Sequence, residues 1–303
     1  MWHEAGSSTL KSTETPLFFP SSGICLGIDP VVADFDGASH SARLEFEAKL
    51  ERHCRVIEQL DHRHALKPNL GFFLRLGSWG ISLLEGFCHR FSGTHAILLD
   101  GKFGEISTTL EAYLDFAFGV LHAQSITINP FLGEQSIRQS LIACNESTAG
   151  FGRIYVLCST SQHGSYETNP QARYRGLGSL QAAEEIIQAV RNLHIEFGNP
   201  QEHSPIGLVV GAGRVDIFQR PDLQESKLPL LCPGLGAQGA SFEGAARLSE
   251  RLGFPNPCLF PLSRYIFDGG NFSTEQSLER IHDVRKRLTH SIGTFEILEN
   301  QTP

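Results

Sequence analysis

Eight short apolar runs, each rich in Ile, Leu or Val and each closed by Gly, Pro, Asp, Asn or Ser, constrain this chain more than any other feature. They are Ile24–Ile28, Ala65–Phe73, Ala96–Leu99, Ser125–Ile128, Arg153–Cys158, Ile206–Val210, Pro229–Cys232 and Cys258–Leu262. Most intervals between them repeat apolar residues at helical spacing, and Ala42–Leu60 and Leu180–Leu193 read as amphipathic helices of several turns. Near-continuous apolar strands alternating with helices indicate parallel pairing with both faces of the sheet covered. An open doubly wound sheet would share this pattern, but eight strand and helix units favour closure. The expected fold is therefore α/β, a single (β/α)8 TIM barrel. The 303 residues exceed the about 250 of such a barrel. The excess reads as a polar N-terminal arm over residues 1–20, long loops within a barrel over 21–297, and a C-terminal tail over 298–303.

Composition narrows the setting. A net charge of −8 argues against a nucleic-acid surface, which needs a basic field to displace counterions from phosphates. No run approaches the roughly 18 apolar residues of a membrane span, and the N-terminus lacks a basic start followed by an apolar core. The expectation is a cytoplasmic protein with no membrane contact. Seven cysteines, an odd number, sit mostly in or beside apolar runs (Cys25, Cys158, Cys232, Cys258) and read as reduced core residues rather than a disulfide framework.

Several motifs that suggest chemistry have plainer explanations. His53, Cys54, His62 and His64 fall on a helix and its exit without a second ligand pair at zinc spacing, so no metal is expected there. Val209-Val210-Gly211-Ala212-Gly213-Arg214 lacks the third glycine of a dinucleotide fingerprint and reads as the turn after the sixth strand. Cys88-His89 reads as a pair on a helix. The segment Gln162–Arg173, with its Gly, Ser, Asn and Pro, reads as a loop over the barrel mouth.

Catalytic groups of a TIM barrel sit where strands end and loops begin on the C-terminal face. Read as a ring, the run ends supply Asp29, then Lys67 and Asn69, then Asp100 and Lys102, then Asn129, Thr160 and Ser161, and finally Ser263 and Arg264. Asp100 and Lys102 are two residues apart and share a strand face. Alone they would read as a solvated surface pair; in this ring they join Lys67 and Asp29 in an array whose opposite charges keep one another ionised. Pro233-Gly234-Leu235-Gly236-Ala237-Gln238-Gly239 follows the seventh strand, where barrels often bind phosphate on backbone N–H groups, and Arg264 adds a guanidinium fork suited to phosphate oxygens.

These motifs carry a family resemblance. Gly27-Ile28-Asp29-Pro30, Lys67-Pro68-Asn69, Asp100-Gly101-Lys102, Asn129-Pro130-Phe131-Leu132-Gly133-Glu134, Thr160-Ser161, Pro233 to Gly239 and Ser263-Arg264 stand in the order found in orotidine 5′-phosphate decarboxylases. The chain resembles the longer bacterial-type branch of that family from about Gly27 to Arg264. The resemblance implies a substrate that is a nucleoside 5′-monophosphate, and no metal or organic cofactor. It implies that Lys67, Asp100 and Lys102 form the array at the reacting carbon, with Lys102 the proton donor, and that Asp29 binds ribose. Ser161 would bond the pyrimidine edge, Asn129 would join the substrate-binding set, and Gln238 with Arg264 would hold the 5′-phosphate. It further implies a homodimer in which Glu105 and Thr109 reach into the partner's site. The sequence departs from the usual Asp-x-Lys-x-x-Asp-Ile-Gly pattern: Glu105 replaces the second Asp, Ser107 replaces Gly, and Phe103 stands where Arg is usual. Three readings follow: a working decarboxylase that accommodates Glu105, a divergent paralogue acting on another pyrimidine nucleoside 5′-monophosphate, and a non-catalytic nucleotide-binding protein. The intact Lys67, Asp100 and Lys102 weigh against the third, since desolvated charges are costly to keep without a chemical use.

Overall fold

Each predicted apolar run forms a strand, and all strand pairs are parallel. The computed structural model describes residues 23–32, 39–61, 64–148, 152–159, 180–198, 204–214, 217, 219–226, 228–236, 240–245 and 258–290. The expected arm over 1–20, the tail over 298–303 and the segment Gln162–Arg173 lie outside them. The strands are β1 (Ile24–Ile28), β2 (Ala65–Pro68), β3 (Leu98–Phe103), β4 (Ser125–Ile128), β5 (Arg153–Ser159), β6 (Ile206–Val210), β7 (Leu230–Leu231) and β8 (Cys258–Leu262). They hydrogen-bond in the order β2-β1-β8-β7-β6-β5-β4-β3, and bridges Leu66 to Ile97 and Asn69 to Asp100 bring β2 against β3. The result is a (β/α)8 barrel.

Helices form where the spacing predicts. Ser39 caps α1 (His40–Ile57) by accepting from the Ala42 N–H at 3.1 Å, and Ala42, Phe46, Leu50, Cys54 and Ile57 bury one stripe against the barrel. Phe46 meets Phe73 edge to face at 5.6 Å. The remaining helices that frame the mouth are α2 (Leu70–Leu74), α3 (Ser78–Phe91), α4 (Ser107–Leu114), α5 (Glu134–Ser147) and α6 (Leu180–Phe197), with Thr274–His290 closing the chain's described part. Among the described residues no helix is long and apolar enough to cross a membrane. All seven cysteines are buried and unbridged.

Two of the boundaries that differ from expectation lie at the site. The second run, read through Phe73, stops as a strand at Pro68, because Asn69 accepts from the Gly71 N–H at 3.1 Å and starts α2. The third, read as ending at Leu99, continues to Phe103, whose carbonyl accepts from the Asn129 N–H at 2.8 Å. The charged residues therefore lie within the strand rather than after it.

Strand alternation positions the site. Cys25, Ala65, Leu98, Tyr155, Val209, Leu231 and Leu259 point inward and form one sealed cluster in the barrel's centre, while Ile24, Leu26, Ile28, Leu66 and Leu99 face the helices. Full burial of such a side chain contributes roughly 1.5–3 kcal/mol. One step up each column stand Gly27, Lys67, Asp100 and Pro261, and another step above β1 and β8 are Asp29 and Ser263. The apolar plug thus forms a floor, and above it the inward columns of β1, β2 and β3 carry Asp29, Lys67 and Asp100.

Candidate active site

The three charged groups of the array meet directly. Lys67 Nζ donates to Asp100 Oδ2 at 2.8 Å, and Lys102 Nζ donates to Asp100 Oδ1 at 2.5 Å. The Thr127 hydroxyl, reaching in from β4, donates to the same Oδ1 at 2.9 Å and accepts from the Lys102 backbone N–H at 2.9 Å. Asp100 and Lys67 are nearly sealed, with side chains 11% and 8% exposed, whereas the Lys102 side chain is half open at 50%. One face of the array is fixed and the other is presented to the cavity.

The backbone needs unusual geometry to do this. Lys102 has φ 48°, a left-handed conformation that costs a non-glycine residue on the order of 1–3 kcal/mol. Gly101 is required beside it: a Cβ there would lie 2.5 Å from the Phe103 ring, which folds back across position 101 and stacks on Tyr113 with centroids 5.2 Å apart. The ladder between β3 and β4 shifts register between Leu99 and Phe103, so the simple alternation that pairs Asp100 with Lys102 in sequence is reached through an irregular strand.

Electrostatics fix the protonation states. Burial alone would raise the Asp100 pKa, but Lys67 and Lys102 outweigh it and hold the carboxyl well below the usual carboxylate range. Burial likewise disfavours the Lys67 ammonium, and Asp100 and Asp29 reverse that, holding it protonated above the usual lysine range. Asp29 moves the other way: burial raises its pKa against the pull of Lys67, and its Oδ1 is a buried acceptor without a hydrogen-bond partner. Below the array, burial pushes the Cys25 thiol up to about 12, so the floor is neutral.

These groups form one side of a cavity of about 340 Å3, within the usual range for small-molecule sites. Leu157, Val209 and Leu231 supply an apolar wall, and Gly234, Ser263 and Arg264 stand at the rim after β7 and β8. Arg264 is exposed and forms no ion pair with the described carboxylates, which leaves its guanidinium available to an anion.

The sequence model of the orotidine 5′-phosphate decarboxylase / HUMPS family matches residues 22–253. The chain belongs to this family. It is 31% identical over 242 residues to an orotidine 5′-phosphate decarboxylase of Roseiflexus sp. (strain RS-1), covering 77% of this chain and 79% of that protein. It is 34% identical over 224 residues to that of Deinococcus radiodurans, covering 72% and 74%. The fold superposes on the OMP decarboxylase of Leishmania donovani with a TM-score of 0.63 at 24% identity, over 88% of this chain and 94% of that one.

Of the residues that the orotidine 5′-phosphate decarboxylase resemblance singles out, the structure brings Asp29, Lys67, Asp100, Lys102 and Arg264 around one cavity. Asn129 stands at the end of β4, where its side chain accepts from the Phe131 N–H at 3.0 Å and starts the turn Pro130–Leu132. Glu105 is half-buried and Thr109 exposed, both past the end of β3 and apart from this cavity's lining. Ser161 and Gln238 lie outside the described residues. Sequence reasoning missed Thr127. Its signal was present, since Ser125 and Thr127 are polar at alternate positions of an otherwise apolar run, the inward face of β4.

Proposed function

We propose that this protein decarboxylates orotidine 5′-monophosphate to UMP and carbon dioxide. The observation that carries this reading is the Asp100 carboxylate clamped between the Lys67 and Lys102 ammonium groups on a sealed apolar floor, in a chain of this family. Its relatives bear the name of that reaction, which favours it over a different pyrimidine nucleotide and over a non-catalytic role.

The geometry supports a definite sequence of events. Arg264 holds the 5′-phosphate at the rim, a role the family resemblance extends to Gln238, and the unpartnered Asp29 Oδ1 accepts from a ribose hydroxyl. Asn129 and Ser161 complete the substrate-binding set. Binding energy from these remote groups sets the pyrimidine carboxylate against the Asp100 charge, a repulsion relieved as carbon dioxide departs. The bond from C6 to the carboxylate carbon breaks with its electron pair left on C6. The Lys102 ammonium stabilises that developing charge and donates its proton to C6, while Lys67 keeps Asp100 ionised.

The reading extends to assembly. Ile106 (54% exposed), Tyr113 (41%) and Phe131 (68%) are exposed apolar side chains on the segments that follow β3 and β4, as Glu105 and Thr109 also follow β3. These exposed apolar side chains support a homodimer that buries them and brings Glu105 and Thr109 to the partner's site. Seven buried thiols without a disulfide support a cytoplasmic setting. The test is a direct assay of orotidine 5′-monophosphate turnover by loss of ultraviolet absorbance, with UMP binding measured by calorimetry. Turnover is expected; tight UMP binding with no turnover would sink the proposal.

A further inference from the structure

Thr127 is uncharged and stands on the strand beside the array, yet it makes both contacts that tie the strained part of β3 to the charged groups. Where the ladder between β3 and β4 slips, the Lys102 N–H donates to the Thr127 hydroxyl oxygen. An ionised carboxylate only accepts, so the single hydroxyl proton is committed to Asp100 Oδ1. The directions of both bonds are therefore forced. One oxygen fixes the left-handed backbone of Lys102 from one side and the Asp100 carboxylate from the other, and Asp100 Oδ1 in turn receives the Lys102 ammonium. Backbone, hydroxyl, carboxylate and ammonium form a closed ring.

We propose that Thr127 is a positioning residue for the proton donor: its hydroxyl holds Lys102 in the left-handed conformation and so aims the ammonium at the reacting carbon. The Lys102 stem is half exposed and flexible, with Asp100 as its only described ion-pair partner. Without the hydroxyl, the backbone N–H loses its acceptor and Asp100 loses the donor that fixes its rotation about Lys67. Misplacement of a reacting group by about 1 Å can cost on the order of 10² in rate.

The kinetic consequence rests on the decarboxylase reading above. Thr127→Val keeps the shape and removes both hydrogen bonds, and Thr127→Ser keeps both. Expected for Thr127→Val is a kcat lower by about 10²-fold with KM within about threefold, and for Thr127→Ser a kcat within about fivefold of the parent. A Thr127→Val kcat within about threefold of the parent, a loss confined to KM, or a Ser variant as impaired as Val would each overturn the inference. Thr127→Ala, smaller and free of a buried methyl mismatch, takes the place of Val if that variant does not fold. Absence of turnover by the parent protein would sink the decarboxylase reading instead. The positional claim is then read without catalysis, from a crystal structure of Thr127→Val. There Lys102 should leave the left-handed region and its Nζ should leave Asp100 Oδ1; an unchanged Lys102 would refute the role.

Discussion

The two ends of the barrel interior both bury charge, and they satisfy it differently. At the N-terminal end Arg153, 2% exposed, donates through Nε to the Ser204 carbonyl at 2.8 Å and through a terminal nitrogen to the Tyr155 hydroxyl at 3.2 Å, among its contacts. At the C-terminal end the charges answer one another, and an acceptor on Asp29 is left over beside a cavity. The floor of apolar side chains between them keeps the two ends independent. At the first end the Arg153 donors are taken up by groups of the fold itself. Groups at the second retain capacity that a ligand can use.

The sharpest way to break this comparison is to remove one group from each end. Lys102→Ala should lower kcat for orotidine 5′-monophosphate by at least about 10³-fold, since it removes both the proposed proton donor and a fixed charge. Thermal stability should barely move, because the Lys102 side chain is half exposed and Asp100 keeps Lys67. Arg153→Leu should show the converse, with stability in urea lower by about 2–3 kcal/mol from the lost bonds to the buried Ser204 carbonyl and Tyr155 hydroxyl. Its folded fraction should keep the parent kcat. A kinetic defect in Arg153→Leu beyond its loss of folded protein would show that the floor transmits, contrary to the comparison.

Acid should attack the molecule away from the array. Burial lowers the His53 pKa from 6.5 to about 4, and burial assisted by Arg285 does the same for His64, which directly precedes β2 at the N-terminal end. Both pKa values are depressed on folding, so the unfolded chain binds more protons below pH 6.5. Stability is full above that pH and falls, on the order of a few kcal/mol for the pair, as pH drops towards 4. The array titrates outside this window. Asp100 is held below the usual carboxylate range and contributes down to about pH 4, and Lys67 is held above the usual lysine range and contributes through the alkaline side. Urea denaturation at stepped pH should find the loss between 6.5 and 4, and His53→Phe, stacked as His53 is on Phe267 at 4.1 Å, should shrink it. A loss that begins only below pH 4 would place it in the carboxylates instead.

The sequence made the floor and most of the array legible because both follow from strand alternation, a rule with a period of two. Eight apolar runs gave eight strands, and Lys67, Asp100 and the Asp29 position follow from counting inward residues. What escaped involved breaks in that rule. Lys102 is left-handed, and the Phe103 ring folds back over Gly101, a contact between residues two apart that no periodicity encodes. The end of β2 at Pro68 depends on a single cap by Asn69. Thr127 looked like an ordinary β-branched strand residue until the slipped ladder gave its hydroxyl two partners.

The smallest expected effect sharpens where the catalytic end stops. Glu105 carries its charge one methylene further than the aspartate usual at that place in the family, and it lies past β3, half-buried and apart from the lining of its own chain's cavity. The Asp100 clamp is complete without it, since Lys67, Lys102 and Thr127 supply all three donors. In the proposed homodimer a glutamate that reaches the partner's site can recover its extra length by a different side-chain rotation. Glu105→Asp should therefore change kcat/KM for orotidine 5′-monophosphate by no more than about fivefold in either direction. A gain of about 10²-fold would mean that the longer acid displaces the substrate carboxylate, and that the site has been shaped for a pyrimidine nucleotide other than orotidylate.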